Sequence, residues 1–372
     1  MRRRSFLRAG AAAALAAPSL LTLPVPAEAL ARARGLAGPV RLASNENPLG
    51  IPESARRAII DATVDGNRYP RYGTRLAETV AARLGVQPAS VVLGNGSTEV
   101  LQMLVQSVAA RGGRVILPDP TFEHVEQYAQ PFGGEVVKVP LTARHAHDLE
   151  RMRAAAGGDR PALLFICNPN NPTGTLTSCD DVEAFIRALP EHVLVAVDEA
   201  YFDYVKEPTY RSMLPHIAER KNVVVVRTFS KVYGLAGLRI GYGLAHPDRA
   251  AAIRRFTQYS NLNHFALAAA LAALEDREFV ARSLRTNAES QRLAEATLDE
   301  LGLERLPAHA NFLMHRVDGE LPAYIERMRA RDIMVGRPFP PLTRYNRVSF
   351  GTPEEMARWA EALRDFRRRS WI

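Results

Sequence analysis

The chain has 372 residues, of which 47% are hydrophobic and 24% are charged. This composition is that of an ordinary globular protein and does not favour disorder, and the length is sufficient for one large core plus a second, smaller one. The formal net charge is +8 at pH 7, but the arginines are spread along most of the sequence. Because nucleic-acid-binding proteins usually concentrate positive charge in a stripe or cluster, we predict no nucleic-acid partner.

Residues 1–29 are predicted to be a signal peptide. They contain RRSFLR at 3–8, an Ala/Leu-rich run to about residue 23, and the small-x-small cleavage site AEA at 27–29. The opening is similar to the twin-arginine consensus, which directs export of proteins that are already folded. Pro18 and Pro24 interrupt the apolar run and disfavour an anchor helix. We therefore expect a periplasmic or secreted protein with no membrane anchor after cleavage, or a cytoplasmic one if the leader is not processed.

Seven short apolar, β-branched runs alternate with helix-length segments between about residues 90 and 245. The runs cover residues 91–93, 114–117, 135–139, 162–167, 193–197, 222–227 and 239–244. This alternation predicts an α/β fold with a mostly parallel seven-stranded sheet covered on both faces. Ligands bind outside the carboxyl ends of the strands in such sheets, so the residues that follow each run are candidate site residues.

After residue 247 the sequence is rich in Ala, Leu, Arg and Glu and predicts helices as far as a stop signal at Gly302. The remainder predicts strands at 311–317, 333–335 and 347–350, a helix at 322–331, and a final helix opened by TPEE at 352–355. We expect residues 61–275 to form the large domain and residues 276–372 a small C-terminal α/β domain. Residues 30–60 are expected to pack with the small domain.

Two motifs near the start of the predicted sheet suit a phosphate and an aromatic ring. The turn GNGSTE at 94–99 links a strand to a helix, and the amides of Gly96, Ser97 and Thr98 would lie at the helix N-terminus, where phosphate binds. Taken alone, a plain helix cap explains this turn about as well. In DPTF at 119–122, Phe122 is placed to stack on a bound ring, although a core aromatic is nearly as good an interpretation.

Polar residues also follow the next two strands. The turn NPNNPTG at 168–174 is held by its prolines and glycine, so the amide of Asn171 can be presented rigidly. The sequence DEAY at 198–201 places Asp198 at a buried strand end, where a carboxylate is costly unless it is paired. Tyr201 follows three residues later and is expected to lie near the same carboxyl edge of the sheet. An Asp that only caps the following helix is the alternative interpretation.

Lys231 is the most informative residue. It ends TFSK at 228–231, directly after the apolar run 223–226, and leads into GLAGLRIG at 234–241. An amine held there beside Arg239 can act as a nucleophile and as a proton carrier. The other three lysines lie inside a strand, in an acidic loop and before a strand. None of them has comparable surroundings.

Together these residues match what pyridoxal 5′-phosphate (PLP) requires of a protein. Lys231 would supply the amine, Asp198 the carboxylate for the ring nitrogen, and Asn171 and Tyr201 the donors to the phenolate oxygen. The phosphate cradle would comprise Gly96, Ser97, Thr98, Thr228, Ser230 and Arg239.

A decarboxylase or lyase of the same fold, or a non-catalytic PLP-fold binding protein, remains the alternative. An oxidoreductase is disfavoured because no Gly-x-Gly-x-x-Gly follows the first strand. We predict no metal, because Cys167 and Cys179 are the only cysteines, and a single bridge between them stays open.

The motifs resemble, in order and spacing, the class I/II aminotransferases of fold type I, and most closely the histidinol-phosphate aminotransferases. The resemblance covers the chain after residue 40 and includes SNENP at 44–48, RYP at 68–70 and RVSFGT at 347–352. It implies a transaminase that moves an amino group between an amino acid and a keto acid or aldehyde. Glutamate, or an aromatic or imidazole amine such as histidinol phosphate, would be the donor.

The same resemblance implies roles for four further residues. It implies a homodimer with shared active sites, in which Tyr69 reaches the neighbouring subunit's cofactor phosphate. Arg347 would bind the donor's carboxylate by a bidentate pairing that lysine does not reproduce. Asn47 and Arg337 would also contact substrate. The chain reads VGRP at 335–338 where the family usually has Val-Arg-Pro, and this inserted glycine shifts Arg337 near the substrate end.

Overall fold

The computed structural model describes residues 38–372, so the predicted leader lies outside the described residues. The strands are β1 Val40–Leu42, β2 Val91–Gly94, β3 Arg114–Asp119, β4 Glu135–Pro140, β5 Ala162–Cys167, β6 Val193–Asp198, β7 Val223–Thr228, β8 Gly241–Ala245, β9 Phe312–Arg316, β10 Ile333–Val335 and β11 Tyr345–Ser349. The helices are α1 Glu53–Ala62, α2 Gly73–Leu84, α3 Ser97–Ala109, α4 His124–Ala129, α5 Leu149–Ala155, α6 Cys179–Ala188, α7 His216–Glu219, α8 Pro247–Arg254, α9 His264–Glu275, α10 Arg277–Glu300, α11 Leu321–Arg329 and α12 Pro353–Arg368.

The central element is a seven-stranded sheet in the order β2-β8-β7-β6-β5-β3-β4. Its neighbours pair in parallel except β8, which is antiparallel to both β2 and β7. Strands β5 and β6 are buried at every position, because helices cover both faces of the sheet. The prediction of an α/β fold with a mostly parallel seven-stranded sheet is therefore confirmed.

Two apolar cores fill the faces of this sheet. On one face, buried side chains of α2, α6 and α9 pack against the strands, including Val80, Ile186 and Leu274. On the other face, α3, α4 and α8 contribute side chains such as Leu104 and Ile253. The sheet is thus held rigidly from both sides, which fixes the positions of the residues at the ends of its strands.

A third core lies around the C-terminal elements. Strand β1 pairs in parallel with β10, and β11 pairs antiparallel with β9. Fully buried Tyr324, Trp359 and Phe366 pack together with Leu42 of β1. The residues just after the predicted leader therefore contact the last part of the chain. The described residues from 38 to 372 form one compact unit, so the domain boundaries at residues 60 and 275 stay a prediction.

Local sequence signals explain where individual elements begin. Helix α12 starts with a capping box, in which the Glu355 N–H donates to Thr352 Oγ1 at 3.3 Å and the Thr352 N–H donates to Glu355 Oε2 at 2.8 Å. The predicted strand over 239–244 begins two residues later, at Gly241. Arg239 instead has a φ of 53° after a short 3₁₀ turn, and this left-handed backbone removes it from the sheet.

No helix within the described range is long and apolar enough to cross a membrane.

Candidate active site

A cavity of about 610 Å³ opens at the carboxyl edge of the sheet. Strands β5, β6 and β7 end there, and the segment after β1, the start of α3 and the loop after β10 complete the walls. All but three of the predicted site residues line this cavity: Ser97, Thr98, Phe122, Asn171, Asp198, Tyr201, Thr228, Ser230, Lys231, Arg239, Arg337 and Arg347. Residues separated by up to 250 positions therefore meet in one place.

The Lys231 amine is held inside the cavity. Its Nζ donates to the backbone oxygen of Asn45 at 3.1 Å and lies 5.6 Å from the centre of the Tyr201 ring. Desolvation lowers the pKa of Lys231 to about 8, and the nearby Arg347 acts in the same direction, while Asp198 opposes it. An appreciable fraction of this amine is therefore neutral near physiological pH, which is what a nucleophile or proton acceptor requires.

Asp198 ends β6 and is only 4% exposed. Its Oδ1 accepts a hydrogen bond from the Ala200 N–H at 3.0 Å. Burial raises the pKa of this carboxyl to about 7. This single hydrogen bond offsets little of the cost of burying the charge. A cation bound next to Asp198 in the cavity would stabilise the ionised carboxylate.

Arg347, on β11, is a buried cation whose contacts leave it suited to an anion. Nη1 donates to Asn171 Oδ1 and Nη2 to the Ala43 backbone oxygen, both at 2.6 Å. Its Nε has no hydrogen-bond partner, and within residues 38–372 no carboxylate pairs with it. Burial lowers the pKa of Arg347 to about 10. An incoming carboxylate or phosphate would supply the missing charge and acceptor. The Arg347 contact also leaves the Asn171 NH₂ group free to donate into the cavity.

The start of α3 and the loop before β8 form a cradle for an anion. Gly96 precedes the helix with a φ of 75°, and a Cβ there would come within 2.4 Å of Arg239 Nη2. Arg239 in turn donates from Nη2 to Thr98 Oγ1 at 3.1 Å. The glycine therefore makes room for a guanidinium beside the helix N-terminus. Backbone amides, hydroxyls and a cation converge there, and this combination suits a phosphate. Gly96 shapes the turn but does not itself line the cavity.

The mouth of the cavity contains residues that sequence reasoning missed. Arg337, after β10, forms an ion pair with Glu123 and lies 4.2 Å over the Phe339 ring. Phe122 lines the cavity and stacks on His124, with ring centroids 4.6 Å apart and planes 21° from parallel. Glu123 and His124 follow directly after the predicted Phe122. Their sequence context carries no motif, and the ion-pair partner of Glu123 comes from a distant part of the chain.

Two predicted residues lie away from the cavity. Asn47 donates to the Val232 backbone oxygen at 3.0 Å and to Ser283 Oγ at 2.9 Å, so its amide connects the loop after Lys231 to helix α10 and not to the cavity. Asn45 of the same motif lines the wall instead. Tyr69 is 83% exposed on the surface. The structure does not bring either predicted residue to the site of the same chain.

Comparison with known proteins places this geometry in a family. The family model for aminotransferase class I and II matches residues 37–363. Histidinol-phosphate aminotransferase of Moorella thermoacetica is 38% identical over 349 residues, covering 91% of this chain and 88% of that protein. Histidinol-phosphate aminotransferase 2 of Ralstonia nicotianae is 40% identical over 346 residues, covering 91% and 92%. The chain belongs to the class I and II aminotransferases.

The solved histidinol-phosphate aminotransferase of Sinorhizobium meliloti, in complex with pyridoxal-5′-phosphate, has the same fold. It superposes with a TM-score of 0.83 and 31% identity, covering 96% of this chain and 99% of that one. The cavity of the present aminotransferase fits that cofactor. Within residues 38–372 Asp198 forms no ion pair, the Gly96 turn and Arg239 form a cradle that a Cβ would fill, and the Lys231 amine lines the same cavity.

Two other kinds of site were considered in the sequence of this aminotransferase, a metal site and a disulfide bond. In the part of the chain that the structure describes, no cluster of three or more His, Cys, Asp or Glu side chains could hold a metal ion. Cys167 and Cys179 are both buried and free. Cys167 Sγ lies 3.3 Å from the Pro169 backbone oxygen, and Cys179 Sγ lies 3.3 Å from the Arg211 backbone oxygen. Each thiol thus has its own local contact.

Proposed function

We propose that this aminotransferase uses PLP to move an amino group between histidinol phosphate, or a related imidazole or aromatic amine, and a keto acid such as 2-oxoglutarate. The observation that carries the proposal is the convergence of Lys231, Asp198 and Arg347 on one cavity at the carboxyl edge of the sheet. The names of the relatives in Moorella thermoacetica and Ralstonia nicotianae support histidinol phosphate as one substrate.

Each residue has a distinct task in this proposal. Asp198 would pair with the cofactor's ring nitrogen, and Asn171 and Tyr201 would donate to its phenolate oxygen. Ser97, Thr98, Ser230 and Arg239 would hold the phosphate group, and Phe122 would contact the ring. When bound, PLP supplies an electron sink for the charge that develops at the substrate Cα. Lys231 would bind the cofactor covalently and then carry the proton at Cα, because its pKa of about 8 allows it both to accept and to return a proton.

Two cations suit the two ends of the proposed substrates. Arg347 lies deep in the cavity, and its Nε has no hydrogen-bond partner among residues 38–372. Arg337 lies at the mouth, half exposed and paired with Glu123. A guanidinium binds either a carboxylate or a phosphate through paired N–H groups. The same site would therefore accept an amino acid in one half of the reaction and a phosphorylated amine in the other.

A side-by-side donor screen tests the function. The purified enzyme is incubated with 2-oxoglutarate and either histidinol phosphate or an aromatic amino acid, and the glutamate formed is measured. Glutamate formation that is fastest with histidinol phosphate supports the proposal. Release of carbon dioxide or ammonia without glutamate would instead assign the chain to the decarboxylase or lyase alternative. No product from any donor would contradict both.

Arg347→Lys is expected to lower kcat/KM for the amino-acid donor about 10- to 100-fold, mainly through KM. Lysine keeps the charge but loses the second N–H, and a hydrogen bond to a charged group contributes roughly 1.5–3 kcal/mol. Steady-state kinetics with glutamate measures the effect. Arg344→Lys is the matched control, because this side chain is 57% exposed, and it should leave KM unchanged. An unaltered KM in Arg347→Lys would remove Arg347 from substrate binding.

We infer that the enzyme is a homodimer whose interface includes the surface around Tyr69. Val64, Tyr69 and Tyr259 are 82%, 83% and 99% exposed. Their two segments are neighbours, since Tyr72 stacks on His264 with ring centroids 4.9 Å apart. Several exposed apolar side chains on adjoining segments are typical of a protein interface.

Val64→Asp is expected to shift the enzyme from dimer towards monomer, because the substitution would bury a charge in the interface. Light scattering at several concentrations measures the molar mass. Val64→Ala keeps the surface apolar and should retain the wild-type mass. A wild-type enzyme that is monomeric at micromolar concentration would overturn the dimer and the proposed role of Tyr69 in the partner's site.

We propose that the twin-arginine leader exports the folded enzyme. The support is the RRSFLR sequence at 3–8 and the AEA cleavage site at 27–29. Export after folding suits an enzyme that must capture its cofactor in a preformed pocket. N-terminal sequencing of the protein from separated cell fractions tests this. A chain that starts near residue 30 outside the cytoplasm supports export, and an unprocessed cytoplasmic chain contradicts it.

A further inference from the structure

Asn45 occupies a central position in the cavity wall that the motif alone does not explain. It follows β1, is only 2% exposed, and has a φ of 54°. A left-handed backbone is uncommon for residues other than glycine, although asparagine tolerates it best. This conformation turns both the side chain and the backbone oxygen of Asn45 towards residues of the site.

The contacts of Asn45 reach both sides of the cavity. Its backbone oxygen accepts from Lys231 Nζ at 3.1 Å and from Asn311 Nδ2 at 3.0 Å. Its Nδ2 donates to the Tyr201 hydroxyl oxygen at 3.0 Å. Its backbone N–H donates to Ser349 Oγ at 2.8 Å, and Ser349 Oγ lies 2.9 Å from Asn45 Oδ1. One residue thus links the amine, the tyrosine and strand β11.

The hydrogen-bond directions follow from this set of contacts. Ser349 Oγ accepts from the Asn45 backbone N–H, which can only donate. In the amide orientation that the structure has, the Ser349 hydroxyl donates its own proton to Asn45 Oδ1. In this orientation the other end, Nδ2, donates to the Tyr201 hydroxyl oxygen. Since the Tyr201 oxygen accepts there, its own proton is directed elsewhere, and within residues 38–372 it has no other hydrogen-bond partner.

We propose that Asn45 is a positioning residue that makes Tyr201 a hydrogen-bond donor to the cofactor and holds the Lys231 amine beside it. The proposal deepens the proposed function, because it rests on the assignment of Tyr201 as a donor to the cofactor's phenolate oxygen. Ser349 acts through Asn45 by fixing the orientation of the amide. A purely structural role would only connect the segment after β1 to β11 and would leave the direction of the tyrosine proton unset.

Asn45→Asp tests this direction. Aspartate has nearly the same size, tolerates the left-handed backbone, and keeps an oxygen for Ser349. Its second oxygen, however, accepts a hydrogen bond instead of donating one. The Tyr201 proton would then turn to the new carboxylate and away from the cofactor. In the holoenzyme, the pH midpoint of the visible absorbance change should rise by roughly one to two pH units, because the anionic phenolate form loses a donor.

Two further variants separate this effect from the added negative charge. Tyr201→Phe alone should raise the absorbance midpoint in the same direction, and Asn45→Asp added to it should produce little further change. Ser349→Ala adds no charge but releases the Asn45 amide to rotate, so it should shift the midpoint in the same direction by a smaller amount. Glutamate turnover should fall in each single variant.

The proposal is overturned if Asn45→Asp shifts the midpoint as far in the Tyr201→Phe background as in the wild type, since the effect would then bypass Tyr201. A folded Asn45→Asp enzyme with an unchanged midpoint overturns it as well. If this variant does not fold, Ser349→Ala with and without Tyr201→Phe provides the same comparison. The absorbance titration requires no turnover, so failure of the donor screen and failure of this proposal are distinguishable.

Discussion

Lys231→Ala is expected to abolish transamination and to remove the visible absorbance of the lysine-bound cofactor. The variant would lose the amine that the proposed function makes both the nucleophile and the carrier of the proton at Cα. Proton transfer by a positioned side chain alone contributes about 10²–10⁴-fold to a rate, so we expect a loss of at least that size. An absorbance spectrum and a glutamate assay on the purified variant measure the two effects.

Lys221→Ala is the matched control for this variant. Lys221 Nζ forms an exposed ion pair with Asp248 at 2.6 Å. It therefore lacks the burial that lowers the pKa of Lys231. An exposed ion pair contributes roughly 0–1 kcal/mol to stability, so colour and turnover should be retained. A Lys231→Ala enzyme that keeps the wild-type spectrum and rate would show that the assigned amine is wrong.

Asp198→Asn is expected to lower kcat by roughly 10²–10³-fold, the usual cost of removing one oriented charge or dipole from an active site. The amide has the same shape but cannot keep a proton on the cofactor's ring nitrogen through an opposite charge. Single-turnover kinetics with glutamate separates this chemical effect from cofactor binding. A variant with full kcat would exclude Asp198 from the reaction.

The same substitution should change how stability depends on pH in the cofactor-free protein. The pKa of Asp198 is about 7 in the folded chain, above its ordinary value of 3.8, so the folded state holds the proton more tightly than the unfolded state. Stability from this group is fully present below about pH 4 and is lost as the pH rises to 7. The shift corresponds to a change on the order of 4 kcal/mol in the free energy of unfolding.

Urea unfolding at pH 5 and at pH 8 measures this dependence. The wild-type cofactor-free protein should lose stability between the two, and Asp198→Asn should lose less. Saturation with PLP should reduce the loss in the wild type, because a cation next to Asp198 restores the ionised form. Equal pH dependence in wild type and variant would show that another group is responsible.

Sequence reasoning located much of the site because of a general property of parallel sheets. The motifs after β5, β6 and β7 are separated by about 30 residues each along the chain, but the carboxyl ends of neighbouring parallel strands lie side by side. The amino-acid sequence alone therefore groups Asn171, Asp198 and Lys231, which do line one cavity. The fold class followed from the same alternation of apolar runs and helices.

The remaining features depend on backbone conformation and on long-range contacts. Asn45 and Asn47 lie in one motif, and only the left-handed backbone at Asn45 decides which of them faces the cavity. Glu123 and Arg337 are 214 residues apart, so neither suggests the other in the sequence. Arg239 is expected from the sequence to begin a strand, but its left-handed backbone takes it out of the sheet, and its side chain lies at the start of α3.

The pairing of β1 with β10 has a consequence for how the enzyme matures. Val40 pairs with Ile333, and the amine of the site is tethered to the residues just after Val40. Bringing Val40 and Ile333 together closes a loop that contains most of the chain, which costs conformational entropy. Contacts between residues so far apart in the sequence form slowly. Newly synthesised chains should therefore acquire a competent PLP pocket only after nearly the whole polypeptide has left the ribosome. In refolding experiments, the uptake of PLP should follow the slowest phase and not the formation of the central sheet.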